Sequence, residues 1–139
     1  MSRFLLDTDH VTLHEQGDRR LRDHLARLEP RDLAVSVITV EEMVRGRLAV
    51  LRRRIDGEAR IRAYAKFMET ISFFGSIHVL PFDSECERTY QDLRDRRLRI
   101  GTQDLRIAAT ALANDAVVVT RNRRDFALVP ALKLEDWTA

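Results

Sequence analysis

The 139-residue chain is poor in several residue types, and each scarcity excludes something. A single cysteine, Cys86, rules out a disulfide framework and a zinc site built on four thiolates. Without disulfides to maintain, the cytoplasm is the expected compartment. Five glycines and three prolines leave no flexible or proline-rich linker. Long apolar runs are missing: AVSVITV, Ala34 to Val40, is too short to cross a bilayer, and Ser36 and Thr39 interrupt it. The opening MSRFLLDTDH meets an acid after three apolar residues, unlike a signal peptide. Lysine is nearly absent. Only Lys66 and Lys133 occur, so 22 of the 24 basic residues are arginine. The guanidinium fork suits phosphate or carboxylate, so a nucleic acid, an acidic protein or plain solvent would each satisfy it.

What is present is ordinary for a folded protein. Hydrophobic residues make up 45% and charged residues 33%, which excludes a disordered chain. The net charge is +2, and neither repeats nor a composition break divide the chain. One domain over residues 1–139 is expected.

Four apolar runs read as strands: Phe4–Leu6, Leu33–Ile38, Ile77–Leu80 and Ala116–Thr120, with a weaker fifth at Leu132–Leu134. Helical periodicity fills the gaps. One pattern runs from Val40 to Ile55, another from about Glu58 to Phe74 on the stripe Ile61, Ala65, Met68 and Ile71. These two form a hairpin turning near Asp56-Gly57. Asp83 to Leu98 reads as a charged helix, and a shorter one starts near Thr102. Alternating strands and helices predict an α/β fold: a central parallel sheet of four to five strands, helices on both faces, and the helical hairpin between the second and third strands. Such sheets bind ligands at the carboxyl ends of their strands.

That rule directs attention to four acids. Asp7 ends the first strand, and Glu42 follows the second, in what reads as the first turn of its helix. Asp104 opens the helix DLRIAATAL, and Asp125 follows AVVVT. Four like charges on one rim need a counter-charge, and a hard divalent cation with oxygen ligands, Mg²⁺ or Mn²⁺, is the simplest. Helix N-termini ease the crowding at Glu42 and Asp104, and small neighbours (Gly46, Ala49, Ala108, Ala111) leave room. Each acid also has a structural role open to it. Thr39 and Glu42 fit a capping box, Asp104 suits a helix dipole, Asp125 follows Asn122 at capping distance, and Asp7 suits a turn or cap.

Other constellations are weaker. His10 and His14 stand at i, i+4 but lack the glutamate of a zinc-protease helix, so they read as solvated surface. Cys86 reads as an inert thiol. Arg121, Arg123 and Arg124 bracket the last acid and suit either phosphate or solvent. Arg52–Arg54 and the Arg94–Arg99 cluster suit helix C-termini or an RNA path. Phe73 and Phe74 are candidates for a protein contact.

Four stretches taken in order, FLLDTDH, SVITVEEMVRG, IGTQDLRIAATAL and VVVTRNRRDF, resemble the PIN-domain family, and within it the VapC-type toxins of bacterial toxin–antitoxin pairs. The resemblance covers essentially the whole chain. It implies a metal-dependent endoribonuclease with Asp7, Glu42, Asp104 and Asp125 as catalytic, metal-holding acids. It further implies Thr120 and Asn122 lining the site, an antitoxin that blocks it, and a homodimer; in the mechanism this suggests, Thr8 joins Thr120 and Asn122 in orienting water or ligand oxygens. Asp9 stands where many members have Asn, a further negative group that would be free to join the metal shell. Two other readings compete. A haloacid-dehalogenase-like phosphatase would use Asp7 and Asp9 of the D-x-D run, but needs a lysine near phosphate. A binding module of the same fold would have lost catalysis.

Overall fold

The computed structural model describes residues 3–139; Met1 and Ser2 of the expected domain lie outside the described residues. Five strands form one parallel sheet: β1 Phe4–Leu6, β2 Leu33–Ser36, β3 His78–Leu80, β4 Val117–Val119 and β5 Leu134–Glu135. Their order is β3-β2-β1-β4-β5. Phe4 pairs with Leu33 on one side and Val117 on the other. The chain therefore winds outward from β1 in one direction, then returns to its other side. The β1/β4 boundary is the switch point at which parallel sheets open a crevice.

Seven α-helices cover the sheet: α1 Thr8–Glu15, α2 Arg19–Ala26, α3 Val37–Leu51, α4 Gly57–Ser76, α5 Ser84–Asp95, α6 Thr102–Ala113 and the short α7 Arg123–Phe126. Strand alternation sorts the core into two layers. Leu5, Ala34, Leu80 and Val118 pack with Tyr90, Leu93, Ile107 and Ala108 of α5 and α6. Leu6, Val35 and Val119 pack on the opposite layer with Val11, Leu21, Met43 and Trp137.

Several boundaries differ from expectation for local reasons. The second strand stops at Ser36 rather than Ile38, because the Ser36 hydroxyl accepts the Thr39 N–H at 3.1 Å and starts α3. Val37, Ile38 and Thr39 are β-branched yet helical, so this cap and the burial of Ile38 and Thr39 override propensity. The Thr39/Glu42 capping box does not form, and Glu42 lies in the second turn rather than the first. α3 ends at Leu51 rather than Ile55, and Asp56 caps α4 by accepting the Ala59 N–H at 2.7 Å. The charged helix, expected to run to Leu98, ends at Asp95. α1 and α2, between β1 and β2, carry too weak an apolar pattern to be predicted. Gly17 separates them at φ +79°, where a Cβ would also meet the Arg22 guanidinium at 3.0 Å.

α4 is turned relative to its expected face. Ile61, Met68 and Ile71 of the predicted core stripe are exposed, with Tyr64 beside them, while Ala63 and Thr70 are buried. Phe73 and Phe74, expected at a protein contact, pack into the layer beneath. A polar knot sets this orientation. Arg47 of α3 donates to Glu15 Oε1 of α1 at 2.7 Å and to Thr70 Oγ1 of α4 at 3.0 Å, and the Thr70 hydroxyl shares its proton between the Lys66 carbonyl at 3.0 Å and Glu15 Oε2 at 3.1 Å. Glu15 is only 8% exposed, so an inward-facing Thr70 completes its solvation and turns the apolar stripe outward. Cys86 is buried, and burial pushes its thiol pKa up, as an inert cysteine requires.

Arg47→Ala would strand the Glu15 carboxylate. It is expected to lower stability by about 2–4 kcal/mol, since removing one partner of a buried pair is costly. Urea unfolding at pH 7 measures it, and a loss below about 0.5 kcal/mol would show that water takes over the role of Arg47.

Candidate active site

The strand ends bring the predicted residues together. β1 ends at Leu6, and Asp7 then caps α1, with Oδ1 accepting the Thr8 N–H at 2.8 Å. Its other oxygen, Oδ2, accepts from Thr120 Oγ1 at 2.8 Å, across the switch point at the end of β4. Thr120 Oγ1 in turn accepts the Asn122 N–H at 2.9 Å. Asn122 turns its side-chain amide to two acids, reaching Asp104 Oδ2 at 3.3 Å and Asp125 Oδ2 at 3.2 Å. On the other flank, Thr8 Oγ1 donates to Glu42 Oε1 at 2.8 Å and lies 3.1 Å from the Thr39 hydroxyl. Asp9 Oδ2 accepts the Arg121 N–H at 3.1 Å and lies 3.3 Å from Thr120 Oγ1. One connected network thus contains Asp7, Thr8, Asp9, Glu42, Asp104, Thr120, Asn122 and Asp125.

Its electrostatics follow from burial and crowding. Asp7 is 5% exposed, and its pKa is raised to about 7, first by burial, then by the Asp9 charge, with Asp104 adding to the rise. The Thr120 and Thr8 bonds pull the other way. Asp104 is also raised, by burial first and then by Glu42, Asp125 and Asp9. Among the described residues no ion pair reaches Asp7, Glu42, Asp104 or Asp125, so protein cations do not relieve the crowding. Asp104 sits in the first turn of α6, as expected, and gains the helix dipole. Glu42 lies too far along α3 to gain it, and Thr8 holds it instead.

The donor set is all oxygen, hard and net negative, which fits Mg²⁺ or Mn²⁺. Among the described residues no three acid, histidine or cysteine side chains close tightly enough to hold one ion directly. The fit is therefore to a largely hydrated cation met by one or two carboxylates, the usual habit of Mg²⁺.

His10 is placed differently from expectation. It is fully buried, not solvated, with Nδ1 2.8 Å from Asp9 Oδ1. His14 is half-buried against the Phe73 ring, 5.3 Å between centroids. The available signal was Asp7, His10, Val11 and His14, which share one face of a helix capped by Asp7. Gln103, also unpredicted, ties α6 to α3 by donating to Glu41 Oε1 at 2.9 Å. Neither lysine serves the site: Lys66 lies 3.8 Å from Glu69, and Lys133 lies 3.9 Å from Asp115, at the opposite end of β4.

A parallel sheet with acids and hydroxyls gathered at its switch point suits metal-assisted phosphoester chemistry, and comparison with known proteins narrows the class. The chain belongs to the PIN domain family, which it matches over residues 5–132. Its relatives within that family include VapC proteins. It is 27% identical to ribonuclease VapC1 of Haemophilus influenzae, over 97% of this chain and 98% of that one. It is 25% identical to the tRNA(fMet)-specific endonuclease VapC of Salmonella typhimurium, over 99% of each. A crystal structure of DNA-bound VapBC from Salmonella typhimurium superposes with a TM-score of 0.80 at 25% identity, covering 99% of both chains.

Asp7 gives a pH-dependent prediction. Its folded pKa of about 7 lies above its ordinary 3.8, so the folded protein holds the extra proton between those values. Stability attributable to Asp7 therefore falls as pH rises from about 4 to about 7, and the penalty is complete above that. In EDTA, Asp7→Asn is expected to be more stable than the wild type at pH 8, by about 2–4 kcal/mol, and nearly equal to it at pH 4. Thermal unfolding at the two pH values decides. An equal effect at both would remove the charge penalty from the account.

Proposed function

We propose that this chain is a metal-dependent endoribonuclease, the toxin of a toxin–antitoxin pair, with Asp7, Glu42, Asp104 and Asp125 as its catalytic and metal-holding acids. The observation that carries the reading is the single network joining those four acids through Thr8, Thr120 and Asn122 at the sheet's switch point. PIN-domain ribonucleases of the VapC type generally depend on a divalent metal. When bound, Mg²⁺ or Mn²⁺ supplies Lewis-acid stabilisation of charge developing on the scissile phosphate.

The chain's own residues do the rest. Asp7 and Asp104 carry the raised pKa values and hold the cation, which favours their charged forms. Thr8 keeps the Glu42 carboxylate turned into the cluster, and the Asn122 amide holds Asp104 and Asp125 at one spacing. Preorganised donors of this kind spare reorganisation during reaction. Exposed Arg121, Arg123 and Arg124 border the cluster and bind the RNA backbone. The phosphatase reading lacks its lysine, since both lie away from Asp7 and Asp9.

The solved complex that this chain resembles is a VapBC assembly, which supports an antitoxin as partner. Apolar surface is available for it and for a second copy of the chain. Ile61, Tyr64, Met68 and Ile71 stand exposed along α4, and α3 carries an open depression of about 480 Å³ in which Val37, Val40, Val44 and Leu48 are flanked by Glu41, Arg45 and Arg52. No helix is long and apolar enough to cross a membrane among the described residues. We place the protein in the cytoplasm, where RNA and antitoxin meet it.

Labelled RNA, including tRNA(fMet), incubated with purified protein and Mg²⁺, Mn²⁺ or EDTA tests the reading. Cuts are expected with either metal, none in EDTA, and a loss of at least ~100-fold in Asp104→Asn, beyond the usual effect of removing a supporting partner. p-Nitrophenyl phosphate should stay intact. Phosphate release without RNA cuts would overturn the assignment.

A further inference from the structure

His10 has no part in the chemistry above, yet it is buried at the edge of the acid cluster. Its two ring nitrogens have distinct partners. Nε2 lies 3.3 Å from the backbone nitrogen of Trp137, which can only donate. Nε2 is therefore the acceptor, and Nδ1 carries the hydrogen. Nδ1 lies 2.8 Å from Asp9 Oδ1 and donates to it. Asp136 Oδ1 is 3.6 Å from Nε2, but it is already occupied by the Thr138 N–H at 2.9 Å and the Thr138 hydroxyl at 2.6 Å.

The Asp9 carboxylate is thus pinned at both oxygens. His10 holds Oδ1, and the Arg121 N–H holds Oδ2. The Thr120 hydroxyl has one proton, and its shorter bond gives that proton to Asp7. With its side chain 33% exposed, Asp9 would turn toward solvent if either pin were lost. The far side of His10 is equally fixed. Trp137 is 4% exposed, stacks on His24 of α2 at 4.2 Å and 9°, and meets the Phe4 ring edge-on at 5.1 Å. Arg20 of α2 donates to the Thr138 carbonyl at 3.2 Å.

We propose that His10 is a positioning residue of this site: the docked C-terminal segment sets its tautomer, and its Nδ1–H holds Asp9 in place beside Asp7. The activity readout rests on the nuclease reading above, and the metal readout does not. Carboxylates that meet a cation, directly or through water, need such partners to keep their orientation, and loss of one typically costs ~10–100-fold in affinity or rate.

Two substitutions separate positioning from packing. His10→Asn keeps a donor where Nδ1 stood. His10→Gln keeps an acceptor for the Trp137 N–H but withdraws the donor from Asp9. Mn²⁺ affinity by calorimetry, RNA kcat and KM, and melting temperature would be measured for both. His10→Asn is expected to bind Mn²⁺ within about three-fold of the wild type, and His10→Gln about ten-fold more weakly or worse. The kcat values should follow the same order, with KM changed less than two-fold. In an Asp9→Ala background, which leaves no acceptor for the His10 Nδ1–H, His10→Gln should add less than a two-fold further loss, because the interaction it removes is already gone. Equal Mn²⁺ affinity in all three proteins would overturn the proposal, as would losses in both variants that simply track melting temperature. A wild type that binds Mn²⁺ but cuts no RNA would overturn the nuclease reading, and the affinity comparison would still decide the role of His10.

Discussion

Burial of a carboxylate at the junction of β1 and α1 is the constraint around which the rest is arranged. Asp7 is removed from water and stands beside Asp9, with Asp104 near enough to add to the strain. A charge in that position must be compensated. The fold supplies the Thr8 N–H, the Thr120 hydroxyl and the start of a helix, and still leaves the pKa near neutrality. Metal-free, the site is therefore an unstable reservoir of negative charge. This is the condition under which a divalent cation binds with the greatest effect on the groups around it.

Small polar residues do much of the organising. Ser36 ends β2 and starts α3, which carries Glu42 to the rim one and a half turns later. Thr8 links Glu42 to the Asp7 cap. Thr120 and Asn122 link Asp7 to Asp104 and Asp125. Each of these residues sits at a strand end or helix start, where the backbone has unpaired groups and a short side chain can reach them. The carboxylates are thus tied to the regular structure of the sheet rather than to mobile loops, and their relative spacing is inherited from the strand register.

Much of this was legible in the residues. The apolar runs located all five strands to within about two residues, and the acids at their ends were found through the rule for parallel sheets. The polar companions Asp9, Thr120 and Asn122 came from resemblance to PIN domains, Thr8 from the mechanism expected of the acids, and all fall in the network. Three things were not legible. α1 and α2 went unassigned because α1 turns His10 and His14 inward beside Val11, and α2, only eight residues long, sets Leu21 and Leu25 among charged residues, so neither sustains an apolar period. The face of α4 was inverted because Thr70, not a hydrophobic residue, is the inward group, drawn in by Glu15 and Arg47. His10 was taken for surface because a histidine's burial depends on partners, here Asp9 and Trp137, 127 residues apart in the case of the latter.

The sequence by itself determined the strand–helix alternation and the parallel sheet, and it singled out the four acids that the structure joins in one network. Those properties depend on local periodicity and on which residues end each strand. Tertiary structure alone decided which acid is desolvated, which amide bridges Asp104 to Asp125, which way α4 faces and where the proton of His10 resides. These depend on distances between residues far apart in the chain, and hydrogen bonds and Coulomb interactions are set by distance in space and local dielectric, not by order in sequence.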